Sequence, residues 1–169
     1  MNTKKAVIAL LGIAIILFAV NRCSSDTQGE DALSFVKASK VDNSMKTKRK
    51  EVFSKWLSAS EYKKRFKNKY YKKTYPAYVE MDSLGNRRVL EIDKKPGFSW
   101  YVSTGHLLEE FPKLHIQQTM NHGKHLLSLH IIKKDGFKVF SAVWISNSVF
   151  IREEKKLQAY GIYPPEFTR

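Results

Sequence analysis

"HLLSLHIIKKDGFKVFSAVWI", residues 125–145, is the stretch on which the fold turns. Two runs rich in aliphatic and aromatic residues, 125–132 and 137–145, flank the turn sequence Lys133-Lys134-Asp135-Gly136. Runs of this length and composition, punctuated by glycine, read as antiparallel strands. Upstream, "LHIQQTM" (114–120) and the turn "NHGK" (121–124) extend the pair to a three-stranded meander. Further out, "AYVEM" (77–81), the turn "DSLGN" and "RRVLEID" (87–93) make a hairpin, and "KKPG" (94–97) turns into "FSWYVS" (98–103). "TGHLLEEF" (104–111) reads as a short helix closed by Pro112, with Ser103 as its N-cap. On the far side, "SNS" leads to a short strand "VFI" (149–151). "REEKKLQAYG" (152–161) then forms a helix ending at Gly161, which Pro164 and Pro165 cannot continue.

Before Pro76 the period is helical. Val52, Phe53, Trp56 and Leu57 predict an amphipathic helix over roughly 45–57, with Trp56 and Leu57 on its buried face. Ser58-Ala59-Ser60-Glu61 has the form of a capping box, so a second helix follows over 59–73, with Tyr62, Phe66 and Tyr70 as its apolar stripe. The fold class is α+β. A membrane-spanning N-terminal helix precedes two helices packed on one face of a mainly antiparallel sheet of five to seven strands. The organisation read from the chain is a signal anchor over 1–22, a tether with a short helix over 23–43, and one globular domain over 44–169. In that domain 44–75 is basic and helical, and 76–169 forms the sheet.

The N-terminus decides where the chain goes. Lys4 and Lys5 precede fifteen uninterrupted apolar or small residues, Ala6 to Val20. That run spans about 22 Å as a helix, against a hydrocarbon core of roughly 30 Å, so it suits a short anchor or a signal-peptide core. No clean small-x-small site follows, which favours an uncleaved, single-pass signal anchor over cleavage before Asp26. Asn21 and Arg22 spoil the approach to Cys23 that a lipid-modified cysteine requires. Cations at the start of the run, and Asp26, Glu30 and Asp31 after it, place the C-terminal body on the extracytoplasmic, periplasmic side. Cys23 is the one cysteine, so no disulfide framework supports the body.

Charge is unevenly spread. Residues 40–76 hold thirteen cations and three acids, whereas 77–169 are nearly balanced. The candidate binding face is Lys63, Lys64, Arg65, Lys67, Lys69, Lys72 and Lys73, crowded onto the second helix beside its ring stripe. Such a face attracts anions: an anionic polymer, lipid headgroups or an acidic protein, with nucleic acid as an alternative.

Catalytic signals are sparse. His106, His115, His122, His125 and His130 fall within twenty-five residues, but strand alternation puts His130 opposite His125, and no zincin spacing occurs. Cys23 has no histidine nearby, the glycines fall in turns, and Glu109–Glu110 and Glu153–Glu154 read as surface acids. No metal, cofactor or small-molecule substrate is indicated. The expectation is a membrane-tethered, non-catalytic binding or assembly domain of the cell envelope. The alternatives are a tethered nucleic-acid binder, and an envelope hydrolase or transferase with a histidine-containing site.

Overall fold

The computed structural model describes residues 36–66, 73–94 and 98–167. The Ala6–Val20 run, Cys23, Asp31, Tyr70, Lys67, Lys69, Lys72 and the turn at 95–97 lie outside the described residues. Among those described, no helix is long and apolar enough to cross a membrane. In chain order the elements are β1 (Val36–Lys37), α1 (Lys46–Val52), α2 (Ala59–Phe66), β2 (Thr74–Met81), β3 (Arg87–Asp93) and β4 (Trp100–Leu107). They continue with α3 (Phe111–Ile116), β5 (Lys124–Lys134), β6 (Phe137–Ser146), α4 (Phe150–Gln158) and β7 (Glu166–Phe167).

The chain is α+β, and its strand ladders are antiparallel. The strands do not form one sheet. They divide into β4–β6–β5, β2–β3 and β1–β7. Bulges shape the ladders. An extra residue interrupts the ladder at Ala77 in β2, at Gly105 in β4 and at Leu127 in β5, and each bulge bends its strand and sharpens the twist. Two of them meet. The Ser128 hydroxyl donates to the Ala77 carbonyl at 2.8 Å, satisfying an acceptor that the bulged ladder leaves over. β2 thereby packs against β5 and β6 as a second layer.

β6 is the centre of the molecule, buried from Val139 to Ile145. Alternation gives each face its own neighbours. Val143 and Ile145 join Tyr75, Tyr78 and Leu90 of the hairpin layer. Phe140 and Trp144 meet α3 through Phe111, with ring centroids 5.3 and 6.0 Å away.

α3 occupies part of the stretch expected to be the meander's first strand. Pro112 opens this helix instead of closing the preceding one, because a first-turn position needs no amide donor. The chain remains extended up to Leu107 and only Leu108–Glu110 form a 3₁₀ turn leading into α3, so Ser103 lies inside β4 and caps nothing. At the other end, "VFI" begins with a 3₁₀ turn (Asn147–Val149) that runs into α4.

The N-terminal part differs in a similar way. Val36 is extended and pairs with Phe167, within the 23–43 stretch read as a tether with a short helix. The compact unit begins at Val36, inside the stretch read as tether. α1 stops at Val52. Phe53 and Leu57 then bridge to Leu90 and Arg87 along β3. Leu57 is buried, but Trp56 is 42% exposed, with the Arg88 guanidinium 4.9 Å from its ring. Expecting Trp56 in the core was therefore an error of period. In an extended segment neighbouring side chains point to opposite faces, so Trp56 turns outward when Leu57 turns in. Trp56→Ala should lower the unfolding free energy by only about 1 kcal/mol, read from a denaturant titration. A loss of about 4 kcal/mol would restore the ring to the core.

The capping box forms as expected. Glu61 Oε2 accepts from the Ser58 amide at 2.8 Å, and Ser58 Oγ accepts from the Glu61 amide at 3.3 Å. Tyr62 and Phe66 are buried in the main cluster.

Candidate functional site

Charge gathers on the face built by α1. A 3₁₀ turn (Asn43–Met45) starts it, with the Asp42 carboxylate accepting from the Ser44 amide at 2.9 Å. Four of the next five residues, 46–50, are cations, and helical geometry gives them different work. Lys48 donates to the Ala159 carbonyl at 2.8 Å and stands over the Tyr160 ring. Arg49 is buried and donates to the carbonyls of Asp42 at 2.5 Å and Tyr160 at 3.2 Å. These two fasten α1 to the chain just past the C-terminus of α4, where carbonyl dipoles favour cations.

Lys46 and Lys50 are exposed, four residues apart on one face. They border a cleft of about 550 Å³, also lined by Arg49, Phe53, Glu80 and Arg88. Glu80, the acid among these, is ion-paired with Arg88. Arg88 is held further between the rings of Phe53 and Trp56, 5.0 and 4.9 Å away. The cleft therefore carries surplus positive charge. Like charges at this helical spacing repel by a few tenths of a kcal/mol.

The face expected on the second helix is partly committed. Lys63 and Lys64 are exposed on α2, and Lys73 is exposed just before β2. Arg65 instead grips Glu91 of β3, its Nε and Nη2 donating to one oxygen at 2.9 and 2.5 Å. Lys63, Lys64 and Arg65 occupy the last turn of the described helix, where cations suit its dipole. Lys67, Lys69 and Lys72 lie outside the described residues. Sequence reasoning placed 46–50 in the basic module but did not single it out. The cluster Lys46-Thr47-Lys48-Arg49-Lys50 was the available signal.

The histidines have separate partners. His130 accepts from the Tyr78 hydroxyl at Nδ1 and donates from Nε2 to the Met81 carbonyl, both at 3.2 Å. Its burial lowers its pKa, so it sits neutral between them. His115 Nδ1 accepts from the Trp144 indole at 3.3 Å, and burial lowers its pKa too. His106 approaches Glu110, His125 packs tilted against the Phe150 ring, and His122 lines a separate cleft near Lys124. No group of three or more His, Cys, Asp or Glu side chains among the described residues is placed to hold a metal.

Comparison with protein-family models, curated proteins and solved structures finds no match.

Proposed function

We propose that the chain is a membrane-tethered, non-catalytic binding domain that holds an anionic envelope component or an acidic protein partner. On this reading Ala6–Val20 is a single-pass signal anchor and the body faces the periplasmic side. One observation carries the binding role: Lys46 and Lys50 share one edge of a cleft whose acid, Glu80, is already taken by Arg88. A carboxylate or phosphate brought alongside relieves a repulsion that the fold leaves in place. Lys63, Lys64 and Lys73 are further exposed cations on this reading, with Lys67, Lys69 and Lys72 between them in sequence.

A specific observation weighs against nucleic acid. Tyr62 and Phe66, the rings beside the second-helix cations that would stack on bases, are buried in the core. The hydrolase reading is weakened as well, because the two half-buried histidines, His115 and His130, are tied to Trp144, Tyr78 and Met81.

The test is retention of the full chain on an immobilised acidic polymer and on duplex DNA through a salt gradient. Lys46→Glu with Lys50→Glu should weaken retention on the polymer by about tenfold and flatten its salt dependence, with the melting temperature unchanged. Unaltered retention would overturn the cleft's role. Stronger retention on DNA would favour the nucleic-acid alternative. A reporter fused after Arg169 fixes which side of the membrane the body occupies.

A further inference from the structure

The β2–β3 and β5–β6 turns lie side by side. A methyl group built on Gly85 would stand 3.0 Å from the Lys134 ammonium nitrogen. A groove of about 310 Å³ between the two turns is lined by residues of both, including Leu84, Gly85, Lys134 and Phe137. At this end the molecule presents two large apolar side chains, Leu84 at 82% and Phe137 at 64% exposure.

Both tips are rigidly built. In the first, the Asp82 carboxylate accepts from the Asn86 amide and side chain at 2.8 and 3.0 Å. Arg87 donates to the Gly85 carbonyl at 2.7 Å and to the Thr104 hydroxyl at 3.0 Å, pinning that tip to β4. In the second, Asp135 and Gly136 have φ of +50° and +86°, the left-handed pair of a two-residue hairpin turn. Leu84 and Phe137 are thus held outward by well-made turns.

Three lysines stand beside them, against the acids Asp135 in the second turn and Asp82, whose carboxylate is engaged by Asn86, in the first. Lys133 and Lys138 are exposed and directly opposite each other in the β5–β6 register, and Lys134 lies next along the strand. Like charges placed opposite across a strand pair destabilise it. Apolar tips beside lysines complement one partner chemistry in particular. The side chains enter the acyl boundary of a bilayer while the ammonium groups meet lipid phosphates.

We propose that this end of the domain docks on an anionic membrane surface, with Leu84 and Phe137 inserted and Lys133, Lys134 and Lys138 on the headgroups. The surface is distinct from the Lys46/Lys50 cleft, and either reading can fail without the other.

The experiment uses the full chain carrying Cys23→Ser and Leu84→Cys, labelled with an environment-sensitive fluorophore. It is reconstituted into vesicles of phosphatidylcholine alone or mixed with phosphatidylglycerol. In the mixed vesicles the emission should shift to the blue, and lipids brominated at about 5–10 Å depth should quench it. High salt should reverse both effects. A label at Lys155→Cys should stay in water. Lys133→Glu should abolish the shift while leaving or raising the melting temperature, because it removes the like-charge pair. Lys46→Glu with Lys50→Glu should leave the shift intact. Emission that stays water-like in both lipids overturns the proposal. So does equal insertion into phosphatidylcholine alone. A shift that depends on protein concentration without lipid would assign the tips to a second copy instead.

Discussion

Glu153→Ala should lower the unfolding free energy of the domain by about 3 kcal/mol. Glu153 is fully buried on α4. It accepts from the Tyr75 hydroxyl at 2.8 Å, from Arg152 at 2.7 Å and from Lys156 at 3.0 Å. Burial pushes its carboxyl upward, but the bonds from Arg152, Lys156 and Tyr75 outweigh it and hold the group below the usual carboxylate range. Truncation strands the Tyr75 hydroxyl, whose ring has no exposure. Arg152 and Lys156, 41% and 34% exposed, regain water, which limits the loss. Tyr75→Phe combined with Glu153→Leu should recover most of it, since no buried polar group then lacks a partner. The pH dependence has a definite sign. A carboxyl that titrates lower when folded contributes fully above about 4.5, its ordinary value, and the contribution drains away as pH falls through the folded value. Glu153→Gln should flatten that acid limb in a series of denaturant titrations. An unchanged limb would mean the carboxylate is not ionised in the fold.

Phe111→Ala should cost about 4 kcal/mol. The ring is fully buried, edge-on to Phe140 and stacked with both Trp144 and His115. Truncation opens a hole over the outer face of β6 and removes the stack that presents His115 to the Trp144 indole. The near-ultraviolet dichroism of Trp144 should weaken at the same time. A cost near 1 kcal/mol would mean that α3 is a peripheral addition to the sheet.

Much of the sheet was legible because its turns are chemically explicit. Asp135-Gly136 and the 82–86 turn forced two hairpins, and the flanking runs needed no further information. The capping box at Ser58 was equally readable. Failures came where periods compete over short windows. Leu114 to Met120 alternates acceptably as a strand, yet Pro112 favours a helix start and Phe111 needs to cover β6. The Trp56 error was of the same kind. Parity failed at Leu127, whose bulge puts His125, opposite Ile145, on the same face of the sheet as His130, opposite Ser141. Glu153 was readable after all. It falls between Phe150 and Leu157 on the apolar stripe of α4, a position where a surface acid does not belong. For the basic face, composition located the module, but it did not separate cations that fasten carbonyls, such as Arg49, from those facing the cleft, such as Lys46.

The clasp between the two ends of the compact unit sets how the domain yields to force. Val36 and Lys37 pair antiparallel with Phe167 and Glu166. A pull on the chain entering at residue 36 therefore breaks the clasp as a zipper, one pair at a time, instead of shearing several together. Peeling should halt at Ser39, whose amide and hydroxyl both engage Leu129, at 2.8 and 3.0 Å. Behind it stands the Val41–Ile162 bridge. The slack released before that stop is about three residues, or roughly 10 Å of extra reach. A tug at residue 36 should therefore lengthen the lead by that much before β6 opens, an order that single-molecule pulling would read.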